Sequence, residues 1–149
     1  MALTKVRQEQ GVVINEGSTD VDLRVESNGN ANMLFVDGGN DRVGIGTATP
    51  DTMLHVHNAS GNASAQLTSG TSGTSFINMG DTGDVDIGQI SYINNGDVMS
   101  FTAAAAERMT LSATGVVINE DSVDADFRVE SNGNVNMLFV DGGNDKVGI

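Results

Sequence analysis

Residues Gly11 to Ile45 recur without a gap as Gly115 to Ile149, 104 positions further along a chain of 149 residues. Only six of these 35 positions differ: Gly17/Asp121, Thr19/Val123, Val21/Ala125, Leu23/Phe127, Ala31/Val135 and Arg42/Lys146. Four of the six, at 17, 19, 21 and 23, fall on alternate residues, the period of one face of an extended strand. The other face, Ser18, Asp20, Asp22 and Arg24, is the same in both copies, which makes it a candidate polar network between chains. A chain that writes one unit twice is an array of modules. The layout reads as a short segment 1–10, a repeat module 11–45, a different module 46–114, and the repeat again at 115–149. The second copy stops within its last strand, so the natural chain is expected to run on.

The modules are thin in bulk. Leu, Ile, Val and Phe make up about a quarter of the chain, with no Trp, one Tyr and 19 Gly. That exceeds what a disordered chain carries, yet it is modest for a compact domain of this length. Oligomerisation is the usual source of further burial when one chain's core is small. The net charge of −13, from 20 acids against 7 bases, repels phosphate backbones and anionic lipid surfaces. Neither nucleic acid nor membrane is therefore an expected partner. The chain has no cysteine, hence no disulfide framework or thiolate chemistry. "MALTKVRQEQ" lacks the apolar stretch of a signal peptide, and no segment approaches eighteen apolar residues, so a soluble chain is expected.

The local patterns predict an all-β fold. "DLRVE" at Asp22–Glu26 alternates polar and apolar residues, "SNGN" at Ser27–Asn30 signals a hairpin turn, and "NMLFV" follows as the return strand. Met33 and Phe35 fall on one face of that strand and Leu34 and Val36 on the other. Apolar residues on both faces predict cover on both sides, one side supplied by a neighbouring chain. Asn95-Gly96 marks a second hairpin between "DIGQISYI" and "DVMSFT". "AAAAERM" at Ala103–Met109 has high helix propensity but barely two turns of length, and is read as a loop or a single helical turn. Pro50, the one proline, is expected to fix a bend between modules.

Chemistry is sparse along the chain, and no residue stands out as catalytic, cofactor-binding or metal-ligating. "SGTSGTS" at Ser69–Ser75 departs from a nucleophile elbow, because Thr74 stands where that motif needs Gly. His55 and His57, the only histidines, share one face of a strand, so six imidazoles could meet a metal on a threefold axis. The competing reading turns Leu54 and Val56 inward and leaves both histidines outside. "GGNDRVGIG" at Gly38–Gly46 is similar to calcium-binding nonapeptides, but those work as tandem arrays and this one comes once per 104 residues. An isolated calcium at Asp81–Asp86 stays open. "NAS" at Asn58 and Asn62 matches the glycosylation sequon in a chain rich in Asn and Ser.

Two stretches carry a family resemblance. "RVGIGTATPDTMLHV" at Arg42–Val56 resembles the "VGIGT-x-x-P-x-x-x-LHV" signature of shaft modules in bacteriophage tail fibres, especially of marine and cyanobacterial phages. "AAAERMTLSATGVV" at Ala104–Val117 resembles the "ERM-x-[IL]-x-x-x-G-x-V" signature of the same modules, and Ile77–Thr102 looks like the part between them. "MALTKV" is similar to the virion-proximal start of such fibres. The resemblance implies an intertwined parallel homotrimer, an elongated repeat-built shaft of the triangular β-prism or β-helix-like kind. Its N-terminus would attach to a baseplate, tail or capsid protein, and a distal region absent from this sequence would meet a host glycan or receptor. The expected function is thus a structural, non-enzymatic virion shaft that needs no cofactor. The alternatives are an adhesin whose loops "HNASGNAS" or "SGTSGTS" bind host polysaccharide directly, or a fibre that decorates the capsid. Tyr92 is the only Tyr or Trp, which counts against a sugar platform.

Overall fold

The computed structural model describes residues 17, 19–119 and 124–149. The expected attachment segment 1–10, residues 11–16 of the first repeat, and Ser18 lie outside them. Among the described residues every regular element is a β-strand, and the strands form three open sheets. No helix among them is long and apolar enough to cross a membrane. By internal packing the chain divides into two units, Met1–Gln66 and Leu67–Ile149.

The first unit holds one four-stranded sheet. Strands β1 (Leu23–Val25), β2 (Leu34–Asp37) and β3 (Arg42–Ile45) form an antiparallel meander, and β4 (Leu54–Val56) pairs with β3 in parallel. Asn28-Gly29 makes the first turn, closed by the Ser27 N–H on the Asn30 carbonyl at 2.8 Å. The return strand begins at Leu34, two residues later than the pattern suggests. Asn32 and Met33 belong to a turn and bend, where the Asn30 side chain accepts the Asn32 N–H at 2.8 Å.

The next turn, Gly38-Gly39-Asn40-Asp41, is built around one carboxylate. Asp37 Oδ1 accepts the N–H groups of Gly39 at 3.1 Å and Asn40 at 2.9 Å, and both Asp37 oxygens accept from the Asn40 amide. Asp41 then takes φ of 56°, a conformation Asp and Asn tolerate better than most residues. A Cβ at Gly38 would lie 2.6 Å from the Val21 carbonyl oxygen, so this position must be Gly.

The second unit repeats that meander. Strands β10 (Phe127–Ser131), β11 (Asn134–Asp141) and β12 (Lys146–Gly148) pair in the same register 104 residues on, Leu23 opposite Val36 becoming Phe127 opposite Val140. The turn bonds recur on Asp141 at 3.1 and 2.9 Å, φ of Asp145 is 55°, and Gly142 meets the Ala125 carbonyl oxygen at the same 2.6 Å. None of the substitutions falls within the Gly-Gly-Asn-Asp turn, whereas at Ala31/Val135 the copies differ: residues 31–33 form a turn and bend, and 135–137 belong to β11.

A five-stranded antiparallel meander precedes it in the same unit: β5 (Thr74–Met79), β6 (Gly88–Ile93), β7 (Val98–Ala103), β8 (Ala106–Ser112) and β9 (Gly115–Ile118). The hairpin expected at Asn95-Gly96 joins β6 to β7, with Gly96 at φ 109°. The reading of "AAAAERM" as a loop or helical turn is corrected. Ala103 ends β7, Ala106 opens β8, and Ala104-Ala105 form a two-residue turn with φ of 54° and 58°. Seven residues cannot repay helix nucleation, whereas both flanks gain strand partners at once.

The core is small. Phe35, 8% exposed, is the only large apolar side chain that is buried among the described residues. The prediction that the "MLFV" strand is covered on both sides within the assembly meets a partial picture in one chain. Phe35 is covered, Leu34 and Val36 are half-buried, and Met33 is 47% exposed.

Candidate functional site

The best-built local structure is the eight-residue arch, 46–53, that carries the chain from β3 to the parallel β4. Parallel crossovers usually need a dozen residues or more, so this one depends on specific fittings. Gly46 takes φ of 82°, and its N–H bonds the Asn32 carbonyl at 2.9 Å. The Thr47 carbonyl oxygen lies over Gly44 so closely that a Cβ there could not be accommodated. Arg42 donates to the Pro50 carbonyl at 2.8 Å, and Pro50 itself is buried. The bend at Pro50 thus folds the chain back onto the first repeat. The "VGIGT…P…LHV" pattern is a fold device, and sequence reading did not assign roles to Arg42, Gly44 and Gly46. The signal was the combination of two glycines, a proline and a flanking cation.

The arch decides the histidines. Gly44 pairs with both Phe35 and His55, so these three share the face on which the arch lies. The His55 side chain is 28% exposed, and its Nδ1 accepts the Asp51 N–H at 3.3 Å. Leu54, on the opposite face, is 62% exposed. The reading that turned the aliphatic face inward and left both histidines outside is therefore corrected for His55, because the arch covers the imidazole side. The two rings meet edge to face at 5.7 Å, and His57 is exposed. Nδ1 of His55 is engaged with backbone, which leaves Nε2 for any other partner.

The acidic candidates are spent on their own loops. Asp81 Oδ1 accepts the N–H groups of Gly83 at 2.7 Å and Asp84 at 3.1 Å. These bonds, that from Gly83 first, hold its carboxyl below the usual aspartate range. Asp37 is likewise lowered, by the Asn40 side-chain bond above all, then by the backbone bonds from Asn40 and Gly39 and the charge of Arg42. Asp22 accepts the Gly38 N–H at 3.0 Å, and Asp126 the Gly142 N–H at 3.1 Å. The shared polar face thus closes turns within one chain. Arg24–Glu26 and Arg128–Glu130 pair at 2.6 and 2.5 Å, half exposed, and such pairs add little stability. Among the described residues no three His, Asp or Glu side chains gather as a metal group.

Two concavities bear on these candidates. A cleft of about 500 Å³ is lined by Asn30, Met33, Ile45, His57, Asn58 and Ser60, with small residues between them. It falls within the range of ligand pockets and mixes amide, imidazole and apolar groups. An apolar hollow of about 190 Å³ lies beside Leu67, Ile77, Ile90, Tyr92 and Met99, below that range. Tyr92 donates its hydroxyl to Asp97 at 3.0 Å, which raises its pKa. On the other face of that sheet, Ser91, Ser100 and Thr110 form a buried row across β6, β7 and β8, and Ser100 donates to Glu107. The Ser100 hydroxyl is thereby satisfied by a carboxylate of the neighbouring strand. No protein-family model matches this chain, and no curated protein matches its sequence.

Proposed function

We propose that the chain is a structural shaft segment of a bacteriophage tail fibre or related virion appendage, acting as a parallel homotrimer. The observation that carries the reading is the repeated meander: two copies 104 residues apart keep the register of their shared strand positions, the Asp37 and Asp141 turn bonds and the Gly38 and Gly142 contacts. Length is what repetition supplies, and new chemistry is not needed. A single buried large apolar side chain among the described residues favours a chain that completes its burial by assembly. In this role residues 1–10 would dock on a baseplate, tail or capsid protein, and a distal region outside this sequence would meet the host surface. The purified chain is expected to sediment as a trimer with a frictional ratio well above that of a globular protein. A compact monomer at micromolar concentration would refute the shaft.

A second reading has one specific observation in its favour. The cleft beside His57 contains part of "HNASGNAS" and is large enough for a sugar residue. An adhesin would show glycan-array binding that His57→Ala and Asn58→Ala abolish. The absence of any binding by the intact chain would leave the shaft alone.

A further inference from the structure

We propose that the uncharged apolar faces of the three sheets are the surfaces on which copies of this chain cover one another. The inference rests on the self-assembly in the shaft reading and says which face does it. In the four-stranded sheet every paired position on the face away from the arch is aliphatic, from Leu23 and Val25 through Val43 to Leu54. The repeat places Phe127, Val129, Leu138, Val140 and Val147 in the same way. In the five-stranded sheet the rows through Ile77, Tyr92, Met99, Leu111 and Val116 form the corresponding face. No paired position on these faces is charged among the described residues. Arg108 sits in the β8 bulge, outside the paired rows.

Several of these side chains are largely exposed in the single chain, and Leu23, Val43, Val129, Leu138 and Val140 are half-buried. Leu54 is 62% exposed, Ile77 50%, Val116 61% and Val147 67%. At about 4.8 Å between strands and about 3.3 Å per residue, the face of the five-stranded sheet alone presents roughly 450 Å². An apolar patch of that size is often a functional surface.

Charge selects the occupant. A net charge of −13 opposes association of copies, and contact through uncharged faces brings the fewest like charges together. The opposite face of the four-stranded sheet is already occupied by the arch, which lies over Gly44 and His55. The face also recurs in both repeats with one register, which suits a second copy lying in parallel.

The chain has no native cysteine, so single cysteines report cover directly. Phe76 and Ile77 are neighbours on β5 with similar exposure, 47% and 50%, but on opposite faces. In the full-length assembly the thiol of Ile77→Cys should react with a maleimide at least about tenfold more slowly than that of Phe76→Cys, because a covered thiol reacts only through opening. Ile77→Glu should weaken association about a hundredfold or more, the cost of burying an unpaired carboxylate, while Phe76→Glu leaves the sedimenting mass unchanged. If the chain assembles and the two thiols react equally fast, the face is wrong and the shaft reading stands. If the unmodified chain sediments as a monomer, the shaft reading and the face fall together.

Discussion

The turn at Ala104-Ala105 offers a test in which two structural readings predict opposite signs. Both alanines sit at positive φ, 54° and 58°, between paired Ala103 and Ala106. The left-handed region costs a non-glycine residue about 1–2 kcal/mol, and a two-residue hairpin turn of this kind prefers Asn-Gly. Ala105→Gly relieves that strain and gives back part of it through the extra freedom of glycine in the unfolded chain, for a net gain of about 0.5–1 kcal/mol. Adding Ala104→Asn brings the pair to about 1–2 kcal/mol, or a rise in melting temperature of roughly 3–6 °C. Had these residues formed a helical turn, glycine would instead cost about 1 kcal/mol. Tyr92, the only Tyr in a chain without Trp, lies in β6 of the same sheet, so its fluorescence follows this sheet alone. Thermal melts by tyrosine emission and far-ultraviolet circular dichroism should move up together. A fall in melting temperature for Ala105→Gly would refute the turn and the argument built on it.

Gly44 and Gly148 are equivalent positions in the two repeats, but the first lies under the Thr47 carbonyl and the second has open space around it. Gly44→Ala should therefore cost about 1–3 kcal/mol in chemical denaturation and Gly148→Ala should be within about 0.5 kcal/mol of neutral; equal effects would remove the arch from the explanation. The lowered carboxyls of Asp37 and Asp81 contribute stability that is present above their ordinary value near 3.8 and lost as pH falls through their folded values. Asp81→Asn keeps the acceptor oxygen without the titration, so its acid unfolding curve below pH 4 should be shallower; an unchanged slope would show that the loop bonds do not matter. Tyr92 has a raised pKa, so its contribution is present below its ordinary value of 10.0 and lost as pH rises through the folded one. Tyr92→Phe should retain more of its neutral-pH stability above pH 10 than the parent chain does, as read by circular dichroism.

The sequence by itself determined the strands, most turns and the repetition. Period-two alternation in "DLRVE", the Asn-Gly turns and the "DGGND" loop are local codes, read by residues within a few positions of one another. The "DGGND" turn and the register of the flanking strands are the same in both copies because the residues that set them are the same, while the strands run further toward the Asn-Gly turn in the second copy. Helix propensity in "AAAAERM" is a weak local term, overruled because its two flanks pair with each other as the strands of a hairpin. What only the tertiary structure decided is which side of each sheet is covered. Alternation in "LHVH" states that Leu54 and His55 face apart, but not which of them meets protein. The arch through Gly46 and Pro50 crosses the imidazole side, covering Phe35 and His55 and leaving Leu54 open. That choice depends on a parallel crossover whose fittings, Arg42 on the Pro50 carbonyl and Thr47 over Gly44, join residues across a loop. A period along one strand carries no information about them.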